Sequence, residues 1–322
     1  MATDKQKHLQ SVLDTHKMTH IDDLLSKYKS KRDDVTEALE EKYKGIIYSP
    51  LNSGSYAKHT AINSKFDLDV VVPFKRSAFG TLEAMFNDVF DFLSEKYKNE
   101  ATIRKQKVSI GLEFYEDENG DVVDLDIVPG RELNDDEYLE DKYLNLFVNS
   151  KYGIIAEKTY IQTNIQAQID HIKAKQNERK IIRLFKIWKS NNNEKYKSFL
   201  LELITIKAFD KEDISGNLWE MLKSVMEYIK DNVANDNFTL KDPGNSNNNV
   251  IDTLESWEKI NLANRMESII NRIEANSDNI KTYFPINEKF NDDELDSADN
   301  TYGIKGSIVA PSNPPSNQRF GE

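Results

Sequence analysis

From residue 6 to 45, apolar side chains recur every third or fourth position: Leu9, Val12, Leu13, Ile21, Leu24, Leu25, Tyr28, Val35, Leu39 and Tyr43. Lysines and acids fill the gaps, so one face of a helix is apolar and the other solvated. The spacing predicts one long N-terminal helix or two joined near Lys17–His20. The rhythm changes after Gly45. Ile46-Ile47-Tyr48 leads into Pro50, Asn52, Ser53, Gly54 and Ser55, and residues 56–62 read as a short helical or irregular piece. Residues 66–73 (Phe-Asp-Leu-Asp-Val-Val-Val-Pro) are rich in β-branched residues and end at a proline, which predicts a strand. Leu82, Met85, Phe86, Val89, Phe90, Leu93 and Tyr97 return to helical spacing. Two strand-like runs, 108–115 and 122–128, flank Asn119-Gly120, a hairpin signal. Helix, strand, helix, hairpin predicts a small α+β unit with a mixed sheet rather than a doubly wound one.

From about residue 166 the chain reads as helices over 169–188, 196–208, 218–232 and 250–276. Asn191–Asn193 and Pro243–Ser246 mark loops between them. Residues 292–322 are acidic, then rich in Pro, Ser, Asn and Gly, with few core formers, which predicts a flexible tail. The expected organisation is an α+β core with its N-terminal helix over 1–165, a helical domain over 166–290 and a tail over 291–322.

Composition narrows the chemistry. The 322 residues include 43 Lys and Arg against 55 Asp and Glu, a formal net charge of −12. That balance argues against a general nucleic-acid binder, which needs a basic surface, so no stable nucleic-acid partner is expected. Cysteine is absent, which excludes disulfides, thiolate zinc sites, iron–sulfur clusters and a cysteine nucleophile. No run approaches the ~18 apolar residues of a membrane span. The N-terminus is polar rather than signal-like, and a cytoplasmic protein is expected.

The informative segment runs from Gly54-Ser55 to Asp67-Leu68-Asp69. Gly-Ser ahead of a short helix offers backbone N–H groups and a hydroxyl to a phosphate, with little steric hindrance. On a strand, Asp67 and Asp69 share a face, roughly 6.5–7 Å apart. Two carboxylates so placed can converge on Mg²⁺ ions that, in two-metal sites, stand ~3.5–4 Å apart. The second hairpin strand supplies a third acid, Asp124 or Asp126, among Val122, Val123, Leu125, Ile127 and Val128. An acid amid such neighbours is costly unless paired or metal-bound. Other readings fail: Gly120 is not at the sixth position of an EF-hand loop, and no Gly-x-x-x-x-Gly-Lys-Ser/Thr occurs. Lys173, Lys175, Arg179, Lys180, Arg183, Lys186 and Lys189 form a basic island in the acidic chain, interrupted only by Glu178. A basic cleft wall attracts an anionic substrate such as a nucleoside triphosphate. Phe185 and Trp188 read as core.

Taken in order, Gly54-Ser55, Thr60-x-Ile62, Asp67-Leu68-Asp69 and Asp126-x-Val128-Pro129 resemble the signature of DNA polymerase-β-type nucleotidyltransferases. Within these the chain is similar to the bacterial cGAS/DncV-like enzymes, the signal producers of CBASS antiphage systems. Residues 179–189 and Ser198–Leu203 resemble the Arg-h-h-Lys-h-Trp and Ser-h-h-h-Glu segments of that family's helical half (h, apolar). The resemblance implies a bilobed polymerase-β-like core plus helical domain, spanned by a long N-terminal helix. It implies Asp67, Asp69 and Asp126 as catalytic acids holding two Mg²⁺ ions, with Mn²⁺ as a substitute. Gly54, Ser55, Lys186 and Ser198 would bind the nucleotide triphosphate, and the product would be a cyclic di- or trinucleotide read by a downstream effector. The alternative is a same-fold transferase that makes linear oligonucleotides or modifies a small molecule, RNA or protein. Thr163 and Asn164, near the interlobe connection, are candidate base readers. Asn317–Glu322 resembles tails primed by an E1/E2-like partner, which would make Gly321 a conjugation site after removal of Glu322.

Overall fold

The computed structural model describes residues 2–149 and 159–291. The chain opens with α1 (Lys5–Thr15), capped by the Asp4 carboxylate accepting from Lys7 N–H, and α2 (Asp22–Lys42), separated by a 3₁₀ turn at Met18–Ile21. So the long N-terminal helix is two. The reason is local: Asn63 Nδ2 donates to the carbonyls of Thr15 and Lys17, at 3.0 and 3.1 Å, which a continuous helix would have used. The two halves then diverge in packing. Leu9, Val12 and Leu13 of α1 join the core of the C-terminal helices, whereas Tyr28, Val35 and Leu39 of α2 join the core under the sheet. By packing, α1 therefore sits with the helical half, not with the α+β half to which the sequence assigned residues 1–165.

The α+β half comprises β1 (Leu51–Ser53), α3 (Gly54–Ala57), β2 (Leu68–Phe74), α4 (Leu82–Lys96), β3 (Ala101–Lys105), β4 (Ile110–Phe114), β5 (Asp124–Glu132), α5 (Tyr138–Asp141), β6 (Leu144–Phe147) and β7 (Tyr160–Thr163). The strand order is β1-β2-β5-β4-β3, and β6 pairs with both β5 and β7. Among the described strands only β2 and β5 run parallel; the hairpin expected at Asn119-Gly120 joins β4 to β5. The helix β2–α4 crossover puts Met85, Phe86, Val89 and Leu93 against Leu125 and Ile127.

The helical half comprises α6 (Ile165–Ile172), α7 (Gln176–Asn191), α8 (Ser198–Lys211), α9 (Leu218–Asn232), a small hairpin of β8 (Lys241–Asp242) and β9 (Asn245–Asn249), α10 (Ser256–Ala275) and α11 (Ile280–Tyr283). The helix expected over 169–188 is broken at Ala174, which takes a left-handed φ of 63°. The apolar rhythm reads straight across the break because Ile172 and Ile182 join one buried cluster with Ile206 of α8. Phe185 and Trp188 are core residues, as their spacing implied. Together these elements form the α+β fold expected, a mixed sheet with a helical C-terminal part. The expected tail and Gly321 lie outside the described residues.

Candidate active site

Three strands set the centre of the site. In the parallel β2–β5 pair, Asp69 stands opposite Asp126; on the other side of Asp126 stands Gly111 of β4. In-register residues on neighbouring strands share a face, and strands lie about 4.8 Å apart. Asp67, two residues before Asp69, falls on that same face. Asp69 and Asp126 are buried, with 7% and 0% of their surface exposed, while Asp67 is half-buried. Burial and then the negative charges of Asp67 and Asp126 push the Asp69 carboxyl well above its usual range; Lys186 and Lys58 pull the other way.

Gly54 follows Ser53, which pairs with Asp69 across β1 and β2. Its φ of 60° is left-handed, and a Cβ there would stand 1.7 Å from Asp69 Oδ2. Only glycine leaves room for that carboxylate. Ser55 sits half-buried in the same turn, its carbonyl accepting from Thr60 N–H at 2.9 Å. Thr60-x-Ile62 then connects the halves. Thr60 Oγ1 accepts from Lys186 Nζ at 3.1 Å, and the Ile62 side chain packs into the helical core.

The helical half brings cations to the acids. Lys186 of α7 has its pKa depressed to about 8, first by burial and then by Lys58, against the opposing pull of Glu202, Asp67 and Asp69. Lys58 and Glu202 form a buried ion pair of 2.7 Å, and the Lys58 ammonium also lies 4.5 Å from the centre of the Phe199 ring. One turn beyond Lys186, Lys189 donates to Ser198 Oγ at 3.3 Å, and burial plus the nearby Lys65 hold it at a pKa of about 8. Of the residues singled out in the sequence, Gly54, Asp67, Asp69, Asp126 and Lys186 thus meet at one place. Ser55 adjoins it, and Ser198 is tied to it through Lys189. Asn164 is engaged structurally: its Oδ1 caps α6 by accepting from Ala167 N–H, and its Nδ2 donates to the Asp141 carbonyl at 2.8 Å. Thr163 is buried beside it.

Sequence reasoning missed a second layer. Gln106 Nε2 donates to Asp126 Oδ1 at 3.0 Å, and Ser109 Oγ donates to Gln106 Oε1 at 2.8 Å. The serine hydroxyl therefore fixes which end of the amide faces the acid. A Cβ on Gly111 would meet Gln106 Nε2 at 2.5 Å and Asp126 Oδ1 at 3.3 Å. The signal was present: a glycine inside a strand marks close approach. Asp124, the other candidate acid, opens β5 opposite Glu113.

These residues suit a divalent cation. Carboxylate oxygens are the hard ligands that Mg²⁺ takes. Two of the three acids are buried, and burial with the charges of Asp67 and Asp126 raises the proton affinity of Asp69. Among the described residues no three acidic or histidine side chains are gathered as a ready coordination shell, so side-chain adjustment would accompany binding.

Comparison with known proteins agrees with this geometry. Residues 5–151 match the Second Messenger Oligonucleotide or Dinucleotide Synthetase domain. The chain is 27% identical over 223 residues to the CBASS oligonucleotide cyclase CdnC of Escherichia coli, covering 63% of this chain and 65% of that protein. It is 25% identical over 229 residues to an E. coli cyclic AMP-AMP-AMP synthase, covering 66% and 67%. The chain thus spans about 65% of the length of the first of these relatives. In fold it is similar to E. coli CdnC solved in complex with HORMA-deltaN, with a TM-score of 0.66, 22% identity, and 89% and 94% of the two chains covered. It is likewise similar to the Bradyrhizobium diazoefficiens CD-NTase CdnG solved with GTP, with a TM-score of 0.69, 13% identity, and 92% and 99% covered.

Proposed function

We propose that this chain is a second-messenger synthetase of the bacterial cGAS/DncV-like nucleotidyltransferases, a cyclic oligonucleotide synthase of CBASS antiphage defence. The observation that carries the reading is the in-register pair Asp69 and Asp126 beneath Gly54, faced by Lys186 from the other half. Nucleoside triphosphates are the substrates. Asp67, Asp69 and Asp126 would hold two Mg²⁺ ions, with Mn²⁺ as a substitute, which supply Lewis-acid charge neutralisation at the phosphates.

The chain's own residues do the rest. Gly54 and Ser55 give the triphosphate a turn it can approach closely, and Lys186, with Ser198 and Lys189, supplies positive charge on the opposite wall. Asp126 accepts the proton of the acceptor ribose hydroxyl. That oxygen bonds to the α-phosphorus of the donor, the bond from α-phosphorus to the bridging oxygen breaks, and pyrophosphate departs with the electron pair. A second transfer in the same pocket closes the ring.

The test is a product assay: purified protein, four labelled NTPs and Mg²⁺, then phosphatase and separation. A phosphatase-resistant species, absent from the Asp67→Asn/Asp69→Asn double mutant, is expected. A phosphatase-sensitive oligonucleotide would favour the linear-product alternative, and turnover retained in the double mutant would reject the site. The HORMA complex of the E. coli relative supports repeating a silent assay with a protein partner present. A downstream effector would read the product. The proposed trimming and E1/E2-type conjugation at Gly321 rests on the sequence of the tail; intact-mass measurement from cells tests it. No described helix is long and apolar enough to cross a membrane, and a cytoplasmic location remains part of the proposal.

A further inference from the structure

Arg131 lies on β5 five residues beyond Asp126, and the β2–β5 register is continuous between them. An odd separation on a strand puts the two side chains on opposite faces, and five steps carry them about 16 Å apart. Arg131 therefore belongs to a different surface from the acids. There it lines a cavity of 450 Å³ with Arg76, Leu82, Leu133, Asn134, Asn145 and Tyr160. That volume falls in the range of about 300–1,000 Å³ typical of small-molecule sites.

Among the described residues the lining is cationic, with two arginines and no internal counter-charge. Arg131 Nη1 donates to the Phe79 carbonyl and Arg76 Nη1 to the Leu133 carbonyl, each at 2.8 Å, so both guanidinium groups are anchored by neutral acceptors. Among the described residues no acid lines the cavity. Glu132, adjacent in sequence, points to the other face of β5, where it accepts from Tyr48 Oη and Arg76 N–H at 2.8 Å each and from Tyr138 N–H at 3.3 Å. Burial, and then the Arg76 charge, lower the Arg131 pKa. Two like charges set side by side are unfavourable until an anion joins them. Two polar atoms are also unsatisfied. Arg131 Nε and Asn145 Oδ1 are buried with no hydrogen-bond partner among the described residues, and Asn145 is only 8% exposed. Asn145 is the cross-strand partner of Arg131, so both belong to one patch. Leu82, the first residue of α4, and Leu133 give it apolar walls, and Tyr160 stands 52% exposed at the rim.

We propose that this cavity is a second ligand site, separate from the catalytic cleft, that takes a small phosphate-bearing molecule between Arg76 and Arg131. Arginine pairs grip phosphate through several N–H donors at once. The buried acceptor on Asn145 and the Tyr160 ring favour a phosphate ester carrying a hydroxyl or N–H group and a flat or apolar body, as a nucleoside monophosphate does. A macromolecular phosphate backbone would use a basic stripe longer than one pair of arginines.

Equilibrium binding on the full chain tests this. Inorganic phosphate, pyrophosphate and AMP are the probes, in EDTA to suppress metal-dependent binding at the acids. AMP is expected to saturate one site, with affinity falling at least tenfold in Arg76→Gln and in Arg131→Gln and unchanged in Lys186→Gln. Saturable binding of inorganic phosphate or pyrophosphate with the same arginine dependence identifies the phosphate group alone as the ligand and also supports the site. Thermal melting checks that each variant folds; should Arg131→Gln fail, Arg76→Gln decides. Three outcomes overturn the proposal: no saturable binding of any probe, binding indifferent to both arginines, or binding abolished by Lys186→Gln. A short oligonucleotide is a fourth probe: arginine-dependent binding of it alone is a fourth overturning outcome and assigns the patch to a nucleic-acid contact.

Discussion

Gly54 and Asp69 share a space that admits only one side chain: a Cβ on Gly54 would lie 1.7 Å from Asp69 Oδ2 and 2.6 Å from its Cγ. Gly54→Ala therefore carries two costs. The left-handed backbone costs roughly 1–2 kcal/mol for a residue with a Cβ. The second falls on the site, because the buried carboxylate must leave its place beside Asp126. We expect turnover to drop at least ~100-fold, about 2.7 kcal/mol of transition-state stabilisation. The melting temperature should fall by only a few degrees, as for a change of about 1–2 kcal/mol in a chain of this size. Near-wild-type turnover in a folded Gly54→Ala protein would remove Asp69 from the site.

Lys58 and Glu202 are joined at 2.7 Å with side chains only 6% exposed, one from the loop after Gly54 and one from α8. Deleting one partner of a buried pair leaves the other charge unmatched, at a cost of about 3–5 kcal/mol. Replacing both with apolar residues removes the problem. Lys58→Met and Glu202→Leu should each be strongly destabilising in urea unfolding, and the double mutant should be more stable than either. Additive losses would mean that the ion pair contributes nothing to the join between the halves.

The elements with strong periodicity were legible in the sequence: α2, α4, the β4–β5 hairpin and the helices of the second half. Short edge elements were not. β3, with its Ala-Thr-Ile-Arg-Lys sequence, is mostly half-buried, so no alternation marks it. The break between α1 and α2 was one of two readings of the apolar spacing, and the contact that accompanies it comes from Asn63, 46 residues beyond Lys17. At the site, Gly-Ser and Asp-x-Asp were readable because the residue types themselves carry the chemistry. Gln106 and Ser109 were not, since an amide and a hydroxyl in a turn have many ordinary uses. The β3–β4 turn that holds them reaches Asp126 through the β4–β5 pairing. The Arg76–Arg131 cavity likewise arises from strand register, with nothing in local sequence to join the two positions.

Lys186 sets a pH dependence. Its folded pKa of about 8 lies below the ordinary lysine value of 10.5, so the folded protein releases this proton first. Below pH 8 both states are protonated, and the penalty for burying the charge is fully present. Between about pH 8 and 10.5 the unfolded state binds the extra proton, so this lysine makes stability rise with pH. Lys189, also near 8, adds to the rise. The melting temperature of the metal-free protein should therefore rise more steeply from pH 7.5 to 9.5 than that of Lys186→Met, and the variant should be the more stable at pH 7. Parallel profiles would show that Lys186 is solvated and ordinary, which would weaken its place on the nucleotide wall.

Gln106 is expected to act as a positioning residue for Asp126. Its amide is oriented by Ser109 and fits beside Asp126 because residue 111 has no side chain. Gln106→Leu removes the donor but keeps the bulk, so the Asp126 carboxylate loses one hydrogen bond without a cavity forming. A hydrogen bond to a charged group is worth about 1.5–3 kcal/mol. Its effect should fall on the chemical step: kcat lowered roughly 10-fold or more with KM for the nucleotide nearly unchanged. That pattern belongs to an interaction made in the transition state rather than in uniform binding. Mn²⁺ affinity, read by electron paramagnetic resonance without nucleotide, should weaken in parallel, because the carboxylate is no longer held in one orientation. Ser109→Ala should show the same signature to a smaller degree, since the amide can then turn its carbonyl toward the acid. A rise in KM alone, or a loss of melting temperature with kcat intact, would assign Gln106 to the fold of the β3–β4 turn instead.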